Sequence, residues 1–380
     1  MRELISEILN GRNVIENCLK LDSLTENWKL LLFDTNVNNL GGMEFHKKFG
    51  KYEICGMGDY NHCFVLNRKM LEGKDVPVLF SACVNYDTNV SSYISSMFFK
   101  NRKDDDLVKM VQYIRKQKFQ TTCQHYAFEI SLNLYPINEN AVYNTLYADN
   151  MLANMSEEQL EKRDFSPFVL PEELYHNIYI ALQNIKSDKG RDYELFECIY
   201  SMLLKAFIIK SDSKRESRKK IEEFLDFVLT NIGCYLENEV YLIAKYLGND
   251  SNNEFFRHMQ QNRNKEKFLK DVRGMAWDLC HLRNVLEEMR GRNISDDIVF
   301  FHCFASYETG LIDILKSNPI KRILYVDGQA YYKYEHEVFE IDGCMELRKK
   351  FEERPAGSVN NSALKELVAH LEEEVGHFLK

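Results

Sequence analysis

Proline is scarce, with six in 380 residues, and no stretch is of low complexity. Long disordered linkers are therefore not expected. No uncharged segment approaches the ~20 residues of a membrane span. The opening MRELISEILNGRN has no apolar core of a secretory signal. The ten cysteines are scattered, without a CxxC pair or a clustered framework. Most sit among apolar neighbours, as in CVNY and FHCFA, and read as buried reduced thiols of a cytoplasmic protein. GxxxxGK[ST], GxGxxG, HExxH and GxSxG are all missing, so the common phosphate-loop, dinucleotide, zincin and serine-hydrolase signatures are excluded. Positive charge is also in deficit. The net charge of −9 argues against a wholly electrostatic nucleic-acid binder but leaves room for local basic faces.

What is present is ordinary globular composition, 45% hydrophobic and 28% charged, in a chain long enough for two or three structural units. The organising stretch is VPVLFSACVNYDTNV, Val76 to Val90. Its apolar run, rich in β-formers, predicts a buried strand with Asp87 just past the carboxyl end. In open α/β sheets that edge collects ligands and catalytic groups. The tetrapeptide DTNV also occurs at 34–37, which makes Asp34 a rival for the same role.

Further strands are predicted at Trp28–Phe33, Tyr52–Cys55, His62–Leu66, Ile298–Ala305 and Lys321–Val326, with a hairpin of 330–334 and 338–341. Helices are predicted over 91–99, 107–119, 120–134, 140–154 and 265–290, and at the C-terminus. Residues 155 to about 264 read as helices alone, and Ser156 with Gln159 spells a capping box. The alternation of strand and helix implies α/β with a mostly parallel sheet flanked by helices and a large helical insertion. The boundaries drawn are a mixed N-terminal extension at 1–75, a core in two parts at 76–150 and 265–345, the insertion at 151–264, and C-terminal helices at 346–380.

Four acids stand out. On the wheel of MAWDLCHLRNVLEEM, Asp278 projects between Val285 and Met289, inside an apolar arc. A buried carboxylate there needs a cation, a donor or a metal, and a salt bridge at the core edge is an equal alternative. Glu129 is the only acid between Asp106 and Glu139 and lies among Phe128, Ile130 and Leu132. Its bland reading is a helix-edge carboxylate facing water. Glu308 follows the strand IVFFHCFA, where an acid also suits the first turn of a helix. Asp87 completes the set. Carboxylates gathered at a sheet edge repel one another unless a divalent cation offsets them, and hard oxygen donors suit Mg²⁺ or Mn²⁺. His281 and His302 read as hydrogen-bonded core residues.

The order strand–Asp, helix–Glu, helix–Asp, strand–acid resembles that of the PIN-domain ribonucleases. The residues that carry the resemblance are Asp87 with Thr88 and Asn89, Glu129, Asp278 in WDLCHLR, and Glu308 in IVFFHCFASYETGL. It covers about 76–150 and 265–345, and it departs from the family in having Glu308 where Asp is usual and in the helical block between the second and third acids. The resemblance implies a PIN-like sheet and a metal-dependent endoribonuclease. Asp87, Glu129, Asp278 and Glu308 would be the catalytic and metal-holding residues, and Asn89 would orient Asp87 or substrate. Lys100, Arg102 and Lys116 would contact RNA phosphates, although a solvated helix face is the commoner explanation of any one such cluster. The alternatives are DNA cleavage by the same acids, or a non-cleaving scaffold acting through partners. The helical block would serve substrate recognition, regulation or homo-oligomerisation.

Overall fold

The computed structural model describes residues 1–34, 43–132, 138–187, 193–212, 214–248, 253–293, 297–341, 343–352 and 361–379. The chain is mixed α/β and divides into two compact units. The first comprises Met1–Lys189, Val285–Glu308 and Pro319–Lys333; the second comprises Gly190–Asn284, Thr309–Asn318 and Tyr334–Lys380. No helix among the described residues is long and apolar enough to cross a membrane.

The first unit carries the strands β1 (Trp28–Leu32), β2 (His46–Phe49), β3 (Tyr52–Gly56), β4 (Phe64–Asn67), β5 (Leu79–Tyr86), β6 (Gln120–Thr122), β7 (Ile298–Ser306), β8 (Ile320–Val326) and most of β9 (Gln329–Tyr334). They form a four-stranded sheet in the order β4-β1-β8-β9 and a five-stranded sheet in the order β2-β3-β7-β5-β6. The expected mostly parallel sheet is corrected here. Among the described strand pairs, β5–β6 and β5–β7 are parallel, whereas β2–β3, β3–β7, β4–β1 and β1–β8 are antiparallel; one isolated parallel bridge joins Gly58 to Ile320. The reason lies in residues 1–75, which supply four strands to the two sheets.

The central pair β5 and β7 arises from the two continuous apolar runs read in the sequence. They pair in parallel from Leu79 opposite Ile298 to Tyr86 opposite Ala305. From Ala82 and Val299 onward both strands are buried, and buried parallel strands need both faces covered. One face meets an aromatic cluster in which the Phe301 ring lies 4.5 Å from Tyr60 and 5.2 Å from Phe45. Two other expectations change. Residues 120–122 are a strand and not the start of a helix, because Thr122 Oγ1 accepts the Gln124 N–H at 3.1 Å and opens the helix Gln124–Leu132 one turn later. Residues 329–334 pair with β8 through the Asp327–Gly328 turn, where both residues have positive φ; Val338–Glu340 is a 3₁₀ turn.

The second unit is helical among its described residues. Helix Tyr193–Asp212 packs against Ser217–Phe227, Glu237–Leu247 and Asn361–Gly376. Phe196 sits 4.5 Å from Trp277, and Phe207 sits 4.4 Å from Phe268. Glu239 is 2% exposed and takes a two-pronged pair from Arg283, at 3.1 Å and 2.5 Å. The capping box at Ser156 and Gln159 forms as read, on a helix of the first unit.

Candidate functional site at the carboxyl edge of the central strands

The parallel strands β5 and β7 end side by side, so the residues that follow them emerge at one edge. Asp87 donates its N–H to Ala305 O at 3.1 Å, and its carbonyl accepts Ser91 N–H at 2.9 Å as the cap of helix Thr88–Phe99. Its carboxylate is 4% exposed and accepts the Ser306 hydroxyl at 2.8 Å. Ser306 Oγ in turn accepts the Glu308 N–H at 3.0 Å. The next two residues complete a hub: Thr88 Oγ1 donates to Glu129, and Asn89 Nδ2 donates to Glu308. The tripeptide Asp87-Thr88-Asn89 thus engages two further acids, Glu129 and Glu308, and through Asp87 the Ser306 hydroxyl. Of the two roles expected for Asn89, the described contact is the one to Glu308.

A polar column continues from this edge into the protein. Alternation along a strand sets Cys83, Asn85 and Asp87 on one face of β5. His302, Phe304 and Ser306 lie on the same face of β7. On helix Gln124–Leu132, His125 and Glu129 are one turn apart and share a side. His125 Nε2 is 3.1 Å from Asn85 Oδ1, and Asn85 Nδ2 donates to His302 Nδ1 at 3.1 Å and to Cys303 O at 3.0 Å. Burial, with Arg292 nearby, pulls the His302 imidazole down to about 3, so it is neutral. A neutral ring that accepts at Nδ1 carries its proton on Nε2, which is buried without a hydrogen-bond partner. Both His281 and His302 are core residues, as read from their apolar settings.

A tyrosine cluster borders the acids. Tyr307 stands between Ser306 and Glu308 in the chain; its ring is 5.4 Å from Tyr93 and 5.9 Å from Tyr52. Burial, then Tyr93, Glu308 and Asp87, raise the Tyr307 hydroxyl above its ordinary value. Lys51 Nζ lies 4.3 Å from the centre of the Tyr93 ring and 3.1 Å from Asp104. The Arg102 guanidinium covers Tyr93 at 3.7 Å. Cations thus stand over half-exposed rings next to carboxylates at this edge. Lys51, Tyr52, Tyr93 and Tyr307 escaped the sequence reading, since nothing in linear spacing joins positions 51, 93 and 307.

The remaining expected residues are placed as follows. Arg102 reaches the cluster. Lys100 closes the helix that Asp87 opens, about 20 Å along its axis at 1.5 Å per residue. Lys116 ends helix Asp105–Lys116, about 18 Å from its cap Asp104 on the same count. Asp34 is no rival here: its carboxylate pairs with Arg322 at 2.6 Å beyond β1, and residues 35–37 lie outside the described residues. The arc around Asp278 is buried as the wheel requires, from Met275 to Met289. Asp278 itself is half-buried and belongs to the second unit.

Among the described residues no three His, Cys, Asp or Glu side chains gather tightly enough to cage a metal ion. The donor set is nonetheless hard oxygen, and Mg²⁺ is commonly held by one or two carboxylates plus substrate phosphate, not by a full protein cage. Asp87 and Glu308 follow the neighbouring ends of β5 and β7, with the Ser306 hydroxyl bridging the Asp87 carboxylate and the Glu308 backbone N–H, and their carboxylates are oxygen donors of the kind that looser mode uses. No protein-family model, curated protein or solved structure matches the chain.

Proposed function

We propose that the chain is a PIN-like endoribonuclease working at the carboxyl edge of β5 and β7. The observation that carries this reading is the convergence of Asp87, Glu129 and Glu308 on the tripeptide Asp87-Thr88-Asn89 and on Ser306. A Mg²⁺ or Mn²⁺ ion on Asp87 and Glu308 would lower the pKa of a bound water and offset phosphate charge. The chain's own groups do the rest. Ser306, Thr88 and Asn89 fix the carboxylates in one orientation, as hydrogen-bonded supports do in metal and acid sites. Arg102 and Lys51 supply positive charge for a phosphate, and the faces of Tyr93 and Tyr307 supply stacking for an unpaired base. Single-stranded RNA suits such a surface better than a duplex, whose bases are not splayed.

The test is cleavage of labelled single-stranded RNA and DNA in Mn²⁺, Mg²⁺ or EDTA, with binding followed by gel shift. RNA is expected to be cut with Mn²⁺ and left intact in EDTA. Asp87→Asn should lower the rate by more than about 10²-fold, matching loss of several kcal/mol of transition-state stabilisation. Asp278→Asn in the same series decides whether the second unit contributes. Cleavage that persists in EDTA, or an unchanged rate in Asp87→Asn, would overturn the reading. RNA binding without any cleavage would favour the scaffold alternative.

A further inference from the structure

The tyrosine cluster beside the acids contains a cation held by a ring and not by an acid. Lys51 is paired with Asp104 at 3.1 Å. Arg102 is exposed, and among the described residues it has no acid partner. What holds it is Tyr93, with 3.7 Å from Cζ to the ring centre. That separation is ordinary contact between carbons, ~3.5–4.0 Å. A guanidinium standing edge-on would hold Cζ about a bond length further out. The group therefore lies flat on the ring.

Local backbone geometry explains the placement. Helix Thr88–Phe99 is capped by Lys100, and the amides of Lys100 and Arg102 both donate to Ser96 O, at 3.0 Å and 3.2 Å. Asn101 between them has a φ of 49°, in the left-handed region that asparagine enters more readily than most residues. The chain thus turns back at the helix end, and Arg102 returns to a ring nine positions earlier. Tyr93 is itself set by its neighbours, 5.4 Å from the Tyr307 ring and 6.2 Å from the Tyr52 ring. Tyr307 directly precedes Glu308.

A flat guanidinium on an aromatic support has two surfaces left to use. Its outer face can stack an unpaired base. Its edge carries N–H groups in a fork that matches two oxygens of a phosphate. A lysine has the charge but neither the plane nor the fork. With Arg102 on Tyr93, the stacking surface presented to solvent is the guanidinium, and the ring is its support.

We propose that the Arg102–Tyr93 stack is a nucleotide platform beside the acid site, which takes an unpaired base on the guanidinium face and that nucleotide's phosphate on its edge. The choice of RNA as the source of the nucleotide rests on the nuclease reading; the platform rests on the stack.

Calorimetric titration of the full chain with AMP, adenosine and ribose 5-phosphate, all in EDTA, tests it. AMP should bind with one site per chain. Adenosine lacks the phosphate and ribose 5-phosphate lacks the base, so each should bind at least about tenfold more weakly. Arg102→Lys keeps the charge and loses plane and fork, and should weaken AMP at least about tenfold. Tyr93→Leu removes the support and should do the same, whereas Tyr93→Phe keeps the ring and should bind as the wild type does. Melting curves of each variant confirm that it is folded. No AMP binding to the wild type at about 10 mM, either fragment bound as tightly as AMP, or wild-type affinity in Arg102→Lys overturns the proposal. The two readings fail separately. A chain that binds AMP through Arg102 but cuts no RNA keeps the platform and loses the nuclease. One that cuts RNA while Arg102→Lys binds AMP normally loses only the platform.

Discussion

At the scale of residues, the acid site is set by its supports as much as by its carboxylates. Ser306 touches both Asp87 and Glu308, so under the proposed nuclease function Ser306→Ala is expected to cost about 10- to 100-fold in RNA cleavage, the usual effect of removing an outer-shell partner. Asn89→Ala should fall in the same range, and rates measured at several Mn²⁺ concentrations would show whether the loss lies in metal affinity. A different residue governs pH response. Asp149 is pushed up to about 6 by burial, against the lowering effect of the Cys123 thiol, and its Oδ1 has no partner. The unfolded chain releases that proton near the ordinary 3.8. Between the two values the folded state holds more protons, so this group makes stability fall as pH rises from about 4 to 6. Above that window its effect is constant. Asp149→Asn is expected to remove this component, seen as a difference in urea midpoints between variant and wild type that grows across the window. A difference that shrinks with rising pH would contradict it.

Among elements, the legible ones are those with a strong period or a long apolar run. The strands β5 and β7 are nearly continuous apolar runs, and the capping box names its own helix start. Strand β2 was missed because HKKF is an edge strand with half its side chains in water, and edges carry little apolar signal. Strand β6 is three residues long, too short for any period. Two of the four acids, Asp87 and Glu308, were legible because strand ends announce themselves, and Glu129 because it is the lone acid between Asp106 and Glu139. The apolar arc of helix Lys265–Arg292 was legible too, whereas the unit that Asp278 would join was not, since a wheel gives a direction but no destination. The hub contacts of Thr88 and Asn89 depend on tertiary pairing and leave no mark on spacing. The most demanding element is β7. Phe301 meets Tyr60 at 4.5 Å, Phe45 at 5.2 Å, Phe80 at 5.9 Å and Phe33 at 6.2 Å. Phe301→Ala should therefore cost about 3–5 kcal/mol, whereas Phe64→Ala, at an exposed strand position, should stay within about 1 kcal/mol. Urea unfolding of the two variants gives the comparison.

For the whole molecule, each unit has its own means of fixing its interior. The first relies on aromatic packing and a buried polar column. The second adds the Arg283–Glu239 pair, with the carboxylate 2% exposed. Breaking that pair by Arg283→Met leaves a buried charge and should cost about 3–5 kcal/mol, and replacing both partners by apolar residues should recover much of the loss. Hydrogen exchange would assign the loss to helix Glu237–Leu247 and its neighbours in the second unit; a loss confined to the sheets of the first would contradict the assignment. The order of the chain has a consequence of another kind. Strand β7 joins β3 to β5, yet it is encoded at 298–306, after more than two hundred residues that follow β5. During synthesis β3 and β5 must wait, each with an unpaired backbone edge, until that late segment leaves the ribosome. Closing such a long loop slows folding and leaves bare edges open to wrong partners in the meantime. A nascent chain stopped before Ile298 is therefore a natural client for chaperones.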